Sequence, residues 1–444
     1  MQKETRETDK IRIMRTEFSF GRSGLEVELP PGPAWQVLKP RWAEALENAE
    51  EAIAAALDRP AAGPPLVEVA RGKRTAAISV CDITRPAPNR LTLPPVLERL
   101  HAAGIPPEGV TLLIATGLHR AATPGEIQEI FGAEIAGRYK IVNHNARDEQ
   151  AHQHLGTTRS GTRVAVERAY VEAEVHITLG FIEQHLMAGF SGGRKLVAPG
   201  LAWQETIKRL HSPHFMRDPR AVEGSVEENP LHQELLEIAG MAGHDFIVDV
   251  VMTEGRRIAG VFAGEPREAH RQGVEFVREK TTARLPGRVR AAVTTAAGYP
   301  LDLTFYQAVK GITAAAHIVE PGGIILLLAA CDEGAGAEEF SRLLKQSPDA
   351  GNFLSEIADI PVTVDQWQLE KLALACRTHR IWFYTPGLPQ EYHANLWGRI
   401  FATAPEAFEA LAAEVGEGAA VPLIPEGPYV FARAEGELTP VAAG

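Results

Sequence analysis

The sequence predicts an α/β protein of two domains, each built on a mostly parallel sheet. Three observations carry this. Short apolar runs, such as 75–80 and 110–116, alternate with helical segments, which is the pattern of strand–helix–strand units and parallel pairing. A length of 444 residues exceeds what one hydrophobic core usually supports. A segment at 281–288, TTARLPGR, has the composition of a link, which gives domains 1–282 and 283–444.

The elements follow in order. Residues 42–57 have helical periodicity and stop before Arg59-Pro60, with a Pro/Gly-rich stretch at 60–65 behind them. The strand 75–80 runs into a polar turn, Cys81-Asp82-Ile83-Thr84-Arg85-Pro86. A crossover helix at 90–103 leads to the strand 110–116, which ends at Gly117-Leu118-His119. In parallel sheets ligands gather where strands end, and both of these turns carry reactive groups. Arg85 offers an anion-binding fork, with Asp82 orienting it or a neighbouring histidine; an internal pair bracing the turn is the plainer alternative. Thr123-Pro124-Gly125-Glu126 reads as a helix start, with proline at the first position and glutamate completing a capping box.

A third strand covers 140–145. The polar run after it holds His144, His152 and His154, and is read as a solvated, charged loop with no metal site. Residues 162–174 form a hairpin or strand, and 175–182 the central strand, which leads to His185. A loop of small residues follows, Gly189-Phe190-Ser191-Gly192-Gly193-Arg194-Lys195, and then a helical segment that delivers His211. Glycines let backbone approach a ligand closely. A lysine just after them, ahead of a helix, suits phosphate binding or covalent attachment of a cofactor. A surface lysine beside two satisfied histidines would look the same.

Further on, 230–240 is helical, 244–251 strand-like and 265–280 a helix. The second domain opens on a strand at 289–295, and its following turn lacks GxGxxG, which disfavours a nicotinamide dinucleotide in the usual Rossmann manner. The helix 303–315 sets Tyr306, Gln307 and Lys310 on neighbouring positions; a phenol, an amide and an ammonium there suit a carboxylate, or simply the wet side of the helix. Residues 323–330 form a buried strand, 338–344 a helix and 381–384 a strand, with helices around 388–397 and 405–415. Trp367 opens another helix, as core or as a pocket wall.

Composition narrows the function classes. A net charge of −12 argues against nucleic acid and against an anionic membrane surface. Three cysteines, Cys81, Cys331 and Cys376, have neither disulfide nor zinc-site spacing, which fits a reducing cytosol. The charged N-terminal stretch has no apolar core of a signal peptide, and the longest apolar run, 323–331, is too short to span a membrane. The expectation is a cytoplasmic protein with no nucleic-acid or membrane partner.

Together these pieces resemble the nickel-dependent lactate racemase family, the 2-hydroxyacid racemases and epimerases with a nickel-pincer nucleotide. The matching motifs are Asp82-Ile83-Thr84-Arg85-Pro86, Ala115-Thr116-Gly117-Leu118-His119, the stretch from His185 through GFSGGRK to His211, Tyr306-Gln307-Ala308-Val309-Lys310, and the Trp367 segment. Five motifs in order, from 82 to 368, are far more specific than any one of them.

The resemblance implies an isomerase with its active site in the cleft between an N-terminal cofactor- and nickel-binding domain and a C-terminal Rossmann-like domain. It implies a pyridinium-3-thioamide-5-thiocarboxylic acid mononucleotide bonded to Lys195, with Asp82, Gly192 and Gly193 beside it, and nickel on His211. It makes His119 and His185 the acid/base pair, and Arg85, Tyr306, Gln307, Lys310 and Trp367 the substrate pocket. The implied chemistry removes the hydroxyl proton and the α-hydrogen, as hydride, from a lactate-like acid and returns hydride to the other face. Partners would be the substrate and the cofactor-synthesis enzymes. Three rival readings stand beside it: a larger 2-hydroxyacid or sugar acid as substrate, a pyridoxal-phosphate Schiff base at Lys195, and a non-catalytic nickel- or cofactor-binding protein.

Overall fold

A computed structural model describes residues 14–85 and 87–435. Pro86 of the first motif, and most of the charged N-terminal stretch, lie outside the described residues. The chain divides into a larger unit, Arg41–Thr282 with Pro361–Trp367, and a smaller one that joins Ala283–Ile360 and Gln368–Gly444 to the residues up to Pro40. Each unit contains a six-stranded sheet. The strands of these sheets, in chain order, are β1 (Ala34–Val37), β2 (Ala76–Cys81), β3 (Val110–Ala115), β4 (Lys140–Asn143), β5 (His176–Phe181), β6 (Phe246–Met252), β7 (Ile258–Gly264), β8 (Val289–Thr295), β9 (Val319–Leu328), β10 (Arg380–Tyr384), β11 (Arg399–Ile400) and β12 (Ala420–Ile424).

In the larger unit the order is β7-β6-β5-β2-β3-β4, parallel except where β7 runs against β6. Alternate residues feed two cores. Ile78, Val80, Leu112 and Ile114 pack with Leu93, Val96 and Leu97 of the helix Asn89–Ala102, while Ala77 and Leu113 pack with Leu231, Leu235 and Ile238 of Pro230–Ala242. Burial on both faces is why these strands read as unbroken apolar runs rather than alternating ones. Truncating a residue such as Leu112 to alanine would cost about 2–5 kcal/mol.

The chain builds β2, β3 and β4 outward in one direction, then crosses back to lay β5 against the other side of β2. The loops after β2 and β5 therefore leave the sheet side by side, with Cys81 level with Ala115 and Val80 level with Leu179. Such a reversal opens a crevice at the strands' carboxyl ends. The Thr123 capping box is present: the Glu126 side chain accepts from the Thr123 N–H at 2.7 Å, and the Glu126 N–H donates to Thr123 Oγ1 at 3.3 Å.

Two expectations change. The run 144–154 is no solvated loop, because His144 and His152 are each 1% exposed. His152–Thr157 is a strand paired with Arg163–Glu167, and that hairpin lies against residues around Ala202 through a Val166–Ala202 bridge. The cover comes from far downstream and leaves no local signature. His154 does remain exposed.

The second change concerns the N-terminal residues. The smaller unit's sheet has the order β11-β10-β9-β8-β12-β1 with every pairing parallel, and β1 is its edge strand on β12. The chain thus starts in the smaller unit, whereas the division 1–282 and 283–444 assigned it to the other. The crossing at 282/283 falls within the link read from composition. Among the described residues no helix is long and apolar enough to cross a membrane.

Candidate active site

The turn after β2 points its chemistry at the turn after β3. Asp82 is buried, and its Oδ2 accepts from His119 Nδ1 at 2.8 Å while Oδ1 accepts from Thr84 Oγ1 at 2.6 Å. Burial works against the Asp82 charge, but these two hydrogen bonds outweigh it and hold the carboxyl below its ordinary value. With Nδ1–H committed to Asp82, His119 presents a bare Nε2 from a half-exposed ring. Asp82 thus orients the histidine rather than Arg85. Arg85 is exposed, and its backbone N–H closes the turn on the Asp82 carbonyl at 3.2 Å.

The loop after β5 is held from inside by a residue that the sequence reading passed over. Arg194 is 1% exposed, and its guanidinium donates to the carbonyls of Ala188, Phe190, Ser191 and Gly192 at 2.9–3.2 Å. Three of these carbonyls also accept elsewhere, Ala188 from the Phe190 N–H, Ser191 from His270 Nε2 and Gly192 from the Lys195 N–H, and Arg194 gathers all four into one network. Replacing Arg194 with alanine would take one donor from each of them, at an expected cost of about 1–3 kcal/mol. Gly192 and Gly193 have a packing reason to be glycine. Gly192 has φ +84°, and a Cβ there would sit 2.5 Å from Asp249 Oδ2. The Gly193 N–H donates to Asp249 Oδ1 at 3.2 Å. Asp249, in the middle of β6, was also missed; its signal is a lone acid inside an apolar run. Burial raises its carboxyl to about 7.

Lys195 follows Arg194. Its Nζ lies 3.2 Å from His185 Nε2. Burial, and then the Arg194 and Arg85 charges, bring its ammonium down to about 7, so a free amine is accessible at neutral pH. The His185 ring agrees with this. Its Nδ1 accepts from the N–H groups of Met187 and Ala188, at 3.4 and 3.2 Å, which leaves the ring proton on Nε2 to donate to the lysine.

His211 ends the helix Gln204–Leu210, and its Nδ1–H donates to the Ile207 carbonyl at 2.8 Å. Nε2 is left bare on a ring that burial keeps neutral, lowered to about 4, with Lys195 close enough to add to the effect. A backbone carbonyl fixing the other ring nitrogen is the usual second partner of a metal-ligating imidazole. The buried Trp367 packs its ring 4.4 Å from that of His211, so it is core and wall together. The Cys81 thiol nearby is pushed up to about 12 by burial and is no nucleophile.

The structure thus brings Asp82, Arg85, His119, His185, Lys195, His211 and Trp367 together at the carboxyl ends of one sheet. Tyr306, Gln307 and Lys310 lie in the smaller unit, on the helix Phe305–Ala316. Gln307 Oε1 is buried with no protein partner, while Tyr306 packs edge-on against Phe340.

A model of the lactate racemase N-terminal domain matches residues 20–224, and one of the lactate racemase C-terminal domain matches 287–432. The chain belongs to the lactate racemase family. It is 33% identical over 423 residues to the lactate racemase of Thermoanaerobacterium thermosaccharolyticum, covering 94% of this chain and 99% of that protein. It is 35% identical over 388 residues to that of Lactiplantibacillus plantarum, covering 86% and 91%. The solved lactate racemase apoprotein from T. thermosaccharolyticum superposes with a TM-score of 0.84 at 31% identity, covering 95% of this chain and all of that one. A protein from Thermotoga maritima, 17% identical with a TM-score of 0.64 and covering 87% and 98%, shares the fold. This member of the lactate racemase family is therefore an isomerase, a racemase on two α/β domains.

Proposed function

We propose that this racemase inverts lactate or a lactate-like 2-hydroxyacid, using a nickel-pincer nucleotide attached to Lys195 with nickel held by His211. The observation that carries the reading is the His211 ring: Nδ1–H tied to Ile207, Nε2 bare, buried beside a lysine whose ammonium sits near 7. An amine that loses its proton at neutral pH suits covalent attachment, and a neutral imidazole suits a transition metal. When bound, the group supplies a sulfur-held nickel and a carbon that takes and returns the substrate's α-hydrogen with its electron pair.

The remaining work belongs to the chain. His119 Nε2 accepts the hydroxyl proton of one enantiomer, and His185 serves the other, so each substrate face has its own acceptor. Arg85, Gln307 through its amide N–H groups, and Lys310 bind the carboxylate. Trp367, Tyr306 and Asp82 shape the pocket, and Gly192 and Gly193 keep backbone close to the group. The cofactor-synthesis enzymes deliver the nucleotide, in a cytoplasm where three free cysteines persist.

The test is intact mass, nickel content and lactate racemisation of protein co-produced with those enzymes. The wild type carries a covalent mass increment and nickel. Lys195→Ala loses the increment; His211→Ala keeps it and loses nickel. Full nickel in His211→Ala overturns the ligand assignment, and a pyridoxal absorption band without nickel overturns the cofactor.

A further inference from the structure

The hairpin that corrected the reading of residues 144–154 holds a side-chain cluster that the racemase reading does not use. His152 and Glu167 are direct cross-strand partners in the antiparallel pairing of His152–Thr157 with Arg163–Glu167. His144 reaches them from the end of β4. One donor atom from each of the three lies within 4.8 Å of the others, and all three side chains are buried.

The hydrogen bonds accommodate one particular pair of tautomers. His152 Nδ1–H donates to the Asp148 carbonyl at 2.7 Å. The Thr116 hydroxyl donates to the His144 carbonyl at 2.9 Å, which leaves its oxygen to accept from His144 Nδ1–H at 3.1 Å. With both ring protons on Nδ1, an assignment these bonds allow, the two bare Nε2 atoms face each other 3.0 Å apart. Two imidazole lone pairs at that separation repel unless a cation lies between them. Nitrogen ligands about 2.0–2.1 Å from one metal ion are themselves about 2.9–3.4 Å apart, which matches. Each ring also gives its other N–H to an oxygen acceptor, as metal-bound histidines do.

We propose that His144, His152 and Glu167 bind a divalent ion of the zinc class, at a site separate from His211, and that this ion fastens the hairpin to the end of β4. The donor set of two imidazoles and a carboxylate selects that class over calcium or magnesium, and leaves a fourth position for a water. Glu167 offsets part of the metal charge. The backbone separately ties the same hairpin to the segment following Lys195: the Glu167 N–H donates to the Leu201 carbonyl at 2.9 Å, and Val166 bridges to Ala202.

The experiment uses the full chain made without cofactor-synthesis enzymes, stripped with a chelator, incubated with zinc chloride alone and desalted. Wild type and His211→Ala should each retain about one zinc per chain and melt several degrees higher for it. His152→Gln and the isosteric Glu167→Gln should lose both effects. Cobalt in place of zinc should give visible absorption bands in the wild type, a readout that needs no variant. No zinc retained by the wild type would mean a plain imidazole–imidazole hydrogen bond and would overturn the site. So would zinc lost in His211→Ala, or kept in His152→Gln and Glu167→Gln.

Discussion

The His119 and His185 sides of the site are built from the same residue type held in opposite tautomers. Asp82 takes the Nδ1 proton of His119 and leaves Nε2 as an acceptor. The backbone of Met187 and Ala188 fills Nδ1 of His185 and leaves the proton on Nε2. One ring is oriented by a buried carboxylate, the other by two amides and a lysine amine. An inversion that takes a proton from oxygen at one face and returns one at the other needs an acceptor and a donor together, and the resting site already holds one of each. The difference also bears on Lys195: as a free amine it occupies the His185 proton, and under the proposed attachment it would no longer accept it.

The predictions test this asymmetry, the largest effect first. His119→Ala and His185→Ala should each abolish racemisation in both directions, by about a hundred- to ten-thousand-fold in kcat, because a full inversion uses both rings. Near-normal racemisation in either variant would break the pairing. Asp82→Asn keeps the shape but frees the His119 ring; a loss of roughly ten- to a hundred-fold is expected, with a changed pH profile and full cofactor mass. An unchanged profile would show that Asp82 only braces the turn.

Next comes pH. With its ammonium at about 7, the neutral fraction of Lys195 should rise from about a tenth at pH 6 to about nine-tenths at pH 8. Labelling of the apoprotein by an amine-reactive reagent, mapped to Lys195, should follow that curve. The folded chain binds fewer protons than the unfolded one between about pH 7 and the ordinary lysine range, so this group makes stability rise with pH across that window. Lys195→Met should flatten the rise in denaturant melts. The smallest effect is at Thr123→Ala, in the capping box just beyond His119. It should lose about 1 kcal/mol of stability and leave racemisation unchanged; a fall in kcat would tie His119 to that helix.

The site was legible where chemistry and chain position coincide. Asp82, His119 and His185 follow apolar strands, and ligands collect at strand ends, so ordered motifs sufficed to name them as candidates. Residues whose task is set by long-range packing were not legible. Arg194 looked like part of a polar loop, because nothing local says that its guanidinium turns inward to backbone carbonyls. Asp249 was one acid in a strand. His144 and His152 were read as solvated because the cover over them is contributed by the region of Ala202. The strand β1 failed for a related reason: periodicity reports a strand, but not which sheet it joins.

Arg194 has a consequence for how the site is loaded. Its four carbonyl bonds are formed with no ligand present, so the loop that carries Lys195 is already shaped before the proposed nucleotide binds. Ordering a loop during association costs free energy that the incoming group would have to offset. Here that cost is met when the chain folds. An Arg194→Lys chain, with one point charge in place of a five-donor fork, would present a floppy arm, and loading would slow even if every catalytic side chain were intact.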